Sequence, residues 1–306
     1  MAPGKIGIVT VLYNSEPVLE EFFASLAVQD YDNWTAYVID NASRDAGVTM
    51  TRAQGARYRV IENSTNVGFA AGSNQGIRVA LEDGCEYILL LNNDVVFGPD
   101  LLRKLVEGLT QYDCQITTPK MYYHNPPDLI WAAGGAFRSW RVHPTVHYGL
   151  YEKDRGQYSQ PAQVTFSPAC CLLIRGEVFA RVGMMDEHYF VYYDDSDWML
   201  RAMHAGLRTW YLPDAKLWHK VSSLIGRNSE FATNQIVKNH AYYNGKHMSR
   251  PAAFIRGVLH CSAYILQWLT DKGGGRVMAR KKLAWWNEGT RMAKEHWAGN
   301  ASRTAP

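Results

Sequence analysis

The sequence predicts an α/β fold: a mainly parallel central sheet flanked by helices, with a helical extension at the C-terminus. Three observations carry this. Short β-branched apolar runs alternate with helix-period patterns through Tyr112, only helical patterns remain beyond Ser229, and a composition of 47% hydrophobic and 20% charged residues is that of an ordered globular chain. Ile6 to Leu12 is nearly continuous in apolar residues, as expected of a strand buried on both faces. Pro17 to Gln29 repeats apolar residues at Val18, Leu19, Phe22, Phe23 and Leu26, the spacing of one helix face. Trp34 to Ile39, Tyr58 to Ile61 and Tyr87 to Leu91 read as further strands. A helix before Gly84 and another after Pro99 separate them.

The second half changes character near Ile116. Residues 120–163 are rich in aromatics, Pro and Gly, with weak periodicity. Val164 to Arg175 is strand-like, Glu177 to Val182 a short helix, and Tyr189 to Tyr193 an aromatic strand-like run. A helix follows and stops at Gly206, and two extended runs, Thr209 to Leu212 and Ala215 to Trp218, deliver His219. Helices are expected at 234–247, 252–269 and 277–297, broken by Gly273-Gly274-Gly275. These patterns divide the chain into residues 1–228, with halves 1–119 and 120–228, and a helical region 229–306.

Charge separates the same way. Residues 249–306 carry ten Lys/Arg against Asp271, Glu288 and Glu295, a balance of +7 that leaves −4 for the rest of a chain whose net charge is +3. The total is too small to argue for nucleic acid, but the basic tail points to an anionic surface, and the apolar run from Phe254 to Leu269 resembles an interfacial amphipathic helix. A packed helical hairpin is the plainer alternative. Cysteines number five, without a C-x-x-C spacing, so neither a disulfide framework nor a zinc site is expected. The opening MAPGKIGIVTVLYN shows no signal-peptide apolar region, and no run approaches the ~18 apolar residues of a spanning helix. A cytoplasmic protein, peripheral on the cytoplasmic face of the inner membrane, is the expectation.

Ligands of parallel sheets collect at the carboxyl ends of the strands. Here Tyr13-Asn14, Asp40-Asn41, Asn66-Val67-Gly68 and Asn92-Asn93-Asp94 each follow a strand. Turn propensity accounts for any one of them, but less readily for four along one edge. Asp194, Asp195 and Asp197 open the helix after the aromatic run. Helix-dipole stabilisation, an N-cap at Asp194 and an i,i+4 pair of Asp197 with Arg201 are their structural explanations. Asp195, between them and beside apolar rings, is a candidate general base, because desolvation raises a carboxyl pKa.

The series Val9-Thr10-Val11-Leu12-Tyr13-Asn14, Val38-Ile39-Asp40-Asn41-Ala42-Ser43, Asn66-Val67-Gly68-Phe69-Ala70 with Asn74 and Gly76, and Leu91-Asn92-Asn93-Asp94, followed by Met185-Asp186-Glu187, Asp194-Asp195-Ser196-Asp197 and Trp218-His219-Lys220, resembles family 2 inverting glycosyltransferases of the GT-A fold. The likeness spans residues 5–245 and is greatest to bacterial rhamnosyltransferases and the galactofuranosyltransferase branch, where a W-H pair likewise follows the D-D-x-D run by about 24 positions. It implies Asp195 as general base and a divalent metal, Mn2+ or Mg2+, at Asp94 and His219. It also implies donor contacts from Thr10, Tyr13, Asn14, Asp40 (on the pyrimidine), Asn66, Gly68, Asn74, Asn92 and Asn93. Asp194, Trp198, Trp131 and Gly134 are the expected acceptor contacts. Trp140, Tyr148 and Tyr151 are further aromatics able to stack on sugars, and His124, His143 and His147 read as surface or acceptor-loop residues. Two positions depart from the pattern: the metal motif carries amides at Asn92 and Asn93, and Pro168 precedes Ala169 where relatives often have Gly.

The implied partners are a dTDP- or UDP-linked sugar and a glycan or lipid-linked acceptor, with L-rhamnose the leading sugar and UDP-galactofuranose or another UDP-hexose the alternative. No nucleic acid is implied; a homodimer and a peripheral membrane contact are the assemblies to test. A nucleotidyltransferase or Rossmann oxidoreductase fits poorly, since Leu12-Tyr13-Asn14-Ser15 has no glycine-rich phosphate loop. A non-catalytic nucleotide-sugar or glycolipid-binding module would have no use for a base.

Overall fold

The computed structural model describes residues 3–138, 144–221 and 229–303, with side chains through 298; Trp140 and His143 lie outside them. The chain forms two compact units, Met1–Phe190 with Asp194–Leu224, and Val191–Tyr193 with Ile225–Pro306.

The first unit opens with β1 (Ile6–Leu12), α1 (Glu16–Ala27), β2 (Trp34–Asp40), α2 (Gly47–Ala53), β3 (Tyr58–Glu62), α3 (Phe69–Glu82) and β4 (Tyr87–Leu91). β5 (Val95–Phe97), α4 (Leu101–Gln111), β6 (Ile116–Tyr123), β7 (Ile130–Ala132), β8 (Gly135–Phe137) and β9 (Thr145–His147) follow. β10 (Ala162–Val164), β11 (Cys171–Arg175), α5 (Val178–Val182), α6 (Asp194–His204) and β12 (Thr209–His219) complete it. The main sheet runs β10-β12-β6-β11-β4-β1-β2-β3, with β5 on β12 and β7 on β6. β3, β2, β1 and β4 are parallel, as are β6 and β12, and β11 runs antiparallel between β4 and β6. The strands expected from apolar runs are the buried ones: Ile6, Ile8, Ala36, Val38 and Leu89 are fully buried on one face of the sheet, against Leu19 and Phe22 of α1. On the other face Ile39, Ile88 and Ile174 pack with Ala70 and Ile77 of α3.

Three sequence expectations change. Val164–Arg175 is not one strand: β10 ends at Val164 and β11 begins at Cys171, and Pro168 between them has no N–H for a ladder. Tyr189–Tyr193 is not a strand: Tyr192 and Tyr193 take φ of 66° and 68°, left-handed values that break an extended run. The two short runs before His219 are one strand, β12, bulged between Leu212 and Lys216.

The second unit contains α7 (Glu230–His247), α8 (Arg250–Thr270) and α9 (Gly274–Arg303). Ser229 caps α7, its hydroxyl accepting from the Ala232 N–H at 3.1 Å, so this helix starts earlier than its apolar pattern. α7 and α9 pack closely through small residues: a Cβ at Gly289 would lie 2.0 Å from the Lys238 carbonyl oxygen. Asn239 of α7 donates to the Val191 and Tyr192 carbonyls at 2.9 and 3.0 Å. Among the described residues no helix is long and apolar enough to cross a membrane.

Candidate active site

Strand register builds the donor edge. Leu12 lies opposite Asp40, and Asp40 opposite Glu62, so the segments that follow these strands emerge together. They are tied to one another by short polar bonds. The Asn14 N–H donates to the Ser43 hydroxyl at 3.0 Å, and the Arg44 N–H returns to the Asn14 side-chain oxygen at 2.9 Å. Asp40, 4% exposed, accepts from the Ser43 N–H at 3.2 and 3.3 Å. The Asn93 amide donates to the Val11 carbonyl at 2.6 Å, and Asn92 N–H to the Cys170 carbonyl at 2.9 Å. Tyr13 stands exposed at the mouth, and the Thr10 hydroxyl is buried below it without a hydrogen-bond partner.

Asp94 and His219 meet because β5 and β12 are antiparallel with Val95 opposite His219. The Lys220 N–H closes the pair by donating to the Asp94 carbonyl at 2.8 Å. Side chain to side chain, His219 Nε2 is 3.1 Å from Asp94 Oδ1, and both residues are buried. Burial alone would discourage a charge on the imidazole, but Cys170 and the Asp94 carboxylate beside it outweigh burial and push its pKa up to about 10. Its Nδ1 is buried without a hydrogen-bond partner. The Trp131 ring packs edge-on to His219, centroids 4.5 Å apart, and to His147 at 5.2 Å.

This pair fits a hard or borderline divalent cation. Adjacent donors of an octahedral ion with bonds of about 2.1–2.2 Å are themselves about 3 Å apart, which is the carboxylate–imidazole spacing here. Among the described residues no cluster of three or more His, Cys, Asp or Glu is assembled.

The acids stand at the start of α6. Burial, then the neighbouring Asp195 charge, raises the Asp194 pKa well above the usual carboxyl range. Asp195 is also raised by burial, but less strongly opposed as an anion: the Ser196 N–H donates to its Oδ1 at 2.6 Å, the Ser196 hydroxyl at 3.2 Å, and the Ala169 N–H adds to them. Both carboxyls are thus raised by burial, Asp194 the more strongly, and Asp195 is the one that retains contact with solvent. Asp197 is fully buried and bound to Arg201 at 2.9 Å, while that guanidinium also donates to the Val182 and Met184 carbonyls.

One dipeptide joins the two centres. Ala169 hydrogen-bonds Asp195 through its backbone, and the next residue, Cys170, lies against His219. Gly68 steadies the approach to the acids: at φ 88° and ψ 174° it caps α3, its N–H bonded to Asn66 Oδ1 at 2.9 Å. A Cβ there would lie 2.5 Å from the Phe190 carbonyl oxygen, which accepts from the Phe69 N–H at 2.7 Å. Asn41 reinforces this corner by donating to the Gly68 carbonyl at 3.0 Å.

Not every expected residue faces this cleft. Asn74 is 1% exposed, and its amide is taken up by Met185 N–H and carbonyl, at 2.9 Å each, and by Glu187 at 2.8 Å, so it pins the 185–187 turn to α3. Trp198 is corrected from acceptor contact to core: 1% exposed, it packs on Phe179, and its indole N–H is bonded to the Gly183 carbonyl. Gly134, at φ 72°, shapes the β7–β8 turn, where a Cβ would meet Val164 at 2.7 Å. His147, expected at the surface or in an acceptor loop, is half-buried beside Trp131, and its pKa is lowered by burial. Cys170 was legible only as half of an adjacent cysteine pair, and nothing in its sequence context singled it out.

Comparison with known proteins adds the family. The model of glycosyl transferase family 2 matches residues 7–183. The N-acetylglucosaminyl-diphospho-decaprenol L-rhamnosyltransferase of Mycobacterium tuberculosis (strain ATCC 25618 / H37Rv) is 24% identical, over 90% of this chain and 96% of its own. The dTDP-rhamnosyl transferase RfbF of Shigella flexneri is 27% identical, over 70% of this chain and 68% of its own. Among solved structures, the mannosyltransferase PcManGT from Pyrobaculum calidifontis, in complex with GDP-Man and Mn2+, superposes with a TM-score of 0.56 at 14% identity, over 95% of this chain and 84% of its own. GalNAc-T7 with UDP, GalNAc and Mn2+ superposes at 0.65 and 12% identity, over 99% of this chain and 58% of its own. At such identities the likeness speaks for the fold, which is GT-A. Because the family model covers more than half of the sequence, the chain belongs to glycosyl transferase family 2.

Proposed function

We propose that this glycosyltransferase is inverting and moves L-rhamnose from dTDP-rhamnose to a hydroxyl of a glycan or lipid-linked acceptor. The observation that carries the reading is the pair of centres joined by Ala169 and Cys170: a carboxylate raised by burial on one side, and an acid–imidazole pair of ion-binding spacing on the other. The rhamnosyl donor is supported by the names of two relatives that align over most of this chain.

Asp195 takes the acceptor hydroxyl proton as that oxygen bonds to the anomeric carbon. The carbon–phosphate oxygen bond breaks in the same displacement, through an oxocarbenium-like state, and inversion follows from attack opposite the leaving group. Asp194 lies buried beside the base, its own carboxyl raised well above the usual range by burial. Tyr13, Asn14, Asp40, Asn66, Gly68, Asn92 and Asn93 line the edge that receives the nucleotide, with Asp40 accepting from the pyrimidine. Asp94 and His219 would hold the divalent cation, Mn2+ or Mg2+, with the imidazole releasing its proton to do so, and the cation would offset the charge gathering on the pyrophosphate. Trp131, its ring against His219, offers an apolar plane for a sugar face.

The test uses Asp195→Asn, which keeps the side-chain shape but cannot serve as a base. Loss of a general base is expected to slow transfer by about 10²–10⁴-fold, with dTDP affinity unchanged. Lost dTDP affinity with retained turnover would refute the assignment. A thermal-shift panel of dTDP-rhamnose and UDP-galactofuranose, each with Mn2+ or with EDTA, decides the donor; stabilisation indifferent to EDTA would remove the metal from Asp94 and His219.

A further inference from the structure

α8 carries apolar residues on both of its sides. Its twenty-one residues include none that is fully buried. The side turned toward its own unit carries Arg256, His260, Cys261, Tyr264 and Gln267, with Cys261 and Tyr264 packed beside Trp286 of α9 and His260 stacked on it at 4.5 Å. The opposite side presents Phe254, Ile255, Leu259, Ile265, Leu266 and Leu269, each between 46% and 73% exposed. An ordinary surface helix turns its apolar stripe inward and its polar side outward. A contiguous apolar stripe on the solvent side marks a surface made for another phase or partner.

Charge selects the occupant. The helix contains no Asp or Glu, exposed Arg250 opens its first turn, and Lys272, Arg276 and Arg280 follow its last, with Asp271 beside them. Arg276 is held there, donating to the Trp268 carbonyl at 2.9 Å with its guanidinium over the Trp268 ring. A second copy docked on this stripe would bring like charges together around it, whereas an anionic lipid surface would meet both the apolar residues and the bases. At about 1.5 Å per residue the helix could span a bilayer's hydrocarbon core, but it is not apolar enough to do so. We propose that α8 lies in the headgroup region of an anionic membrane, apolar stripe inward, with the flanking bases against lipid phosphates. This inference is independent of the sugar assigned to the active site.

The experiment is sedimentation of the full chain with vesicles of phosphatidylglycerol and phosphatidylcholine (1:1), against pure phosphatidylcholine, at 0.1 M and 0.5 M NaCl. Binding to the anionic vesicles is expected, weakened by salt. Lys272→Glu with Arg276→Glu should lower partitioning by at least tenfold, since each base near such a surface contributes roughly fivefold. Leu259→Glu with Leu266→Glu should abolish it. Both pairs lie outside the fold's core, and unchanged circular dichroism and dTDP binding identify the loss as one of docking. No binding to anionic vesicles would overturn the proposal. So would a homodimer in light scattering that the Leu259→Glu, Leu266→Glu variant dissociates, because the stripe would then be occupied by a second copy.

Discussion

Replacing Gly68 by alanine strikes the point where α3 supports the approach to the acids, and the structure supplies both parts of its cost. The backbone at φ 88° and ψ 174° belongs to a region that only glycine enters freely, a penalty of about 1–3 kcal/mol. The new Cβ would also lie 2.5 Å from the Phe190 carbonyl oxygen, a backbone atom that cannot rotate away. Relief requires Phe190 to retreat and to give up its bond from the Phe69 N–H, roughly another 1 kcal/mol. The sum, about 2–4 kcal/mol, corresponds to a fall in Tm of roughly 4–16 °C for a domain of this size. Gly84→Ala is the control: φ is 74°, but nothing lies within 4 Å of its Cβ, so only the backbone part is lost. The assay is a thermal melt of both variants together with initial transfer rates. Gly68→Ala should melt below Gly84→Ala and lose most of its kcat, because moving Phe190 moves the segment leading to Asp194 and Asp195. Equal melting of the two variants, or a Gly68→Ala rate equal to wild type, would refute the reasoning.

Other perturbations read other parts of the molecule. Arg201→Met deprives the fully buried Asp197 of its ion pair and should cost about 3–5 kcal/mol in urea unfolding, largely recovered by adding Asp197→Leu; a single variant as stable as the double would contradict this. Asp154 is opposed by burial, but its bonds from Lys120 and Tyr122 prevail and bring its pKa down to about 2. Its contribution is therefore present above the unfolded-chain value near 4 and fades as pH falls toward 2, by about 2 kcal/mol. The stability gap between wild type and Asp154→Asn should narrow by that amount between pH 4 and pH 2, and a gap independent of pH would place the stabilisation elsewhere.

Much of the fold was readable where the chain is periodic. Ile6–Leu12 and Tyr87–Leu91 announce themselves because a strand covered on both faces has no polar alternation to confuse with anything else. α2 and the three-residue strands β5, β7, β8 and β9 escaped notice, being too short to show a period. That brevity hid the reason Asp94 finds His219: the contact is made by β5, whose three residues carry no signal of pairing with a strand 120 positions later. Family likeness named that pair before geometry explained it. Trp198 illustrates a conflict between cues, since neighbouring residues on a helix point about 100° apart. Adjacency to the acids drew it toward the acceptor, but its place on the apolar stripe with Met199 and Ala202 decided its burial. Asn74 sits within a motif of the donor half yet spends its amide on the turn at 185–187, an allegiance across 111 residues that only coordinates reveal.

The position of β11 has a consequence for how such a protein can change. Ala169 and Cys170 lead directly into a strand flanked on both sides by others, in the middle of the sheet rather than at its margin. The gap between Asp195 and the Asp94–His219 pair is thus gauged by a strand inside the sheet. Loops around it can be rewritten without disturbing that gauge, whereas a shift of β11 by a single residue would displace the contacts of Asp195 and of His219 at once.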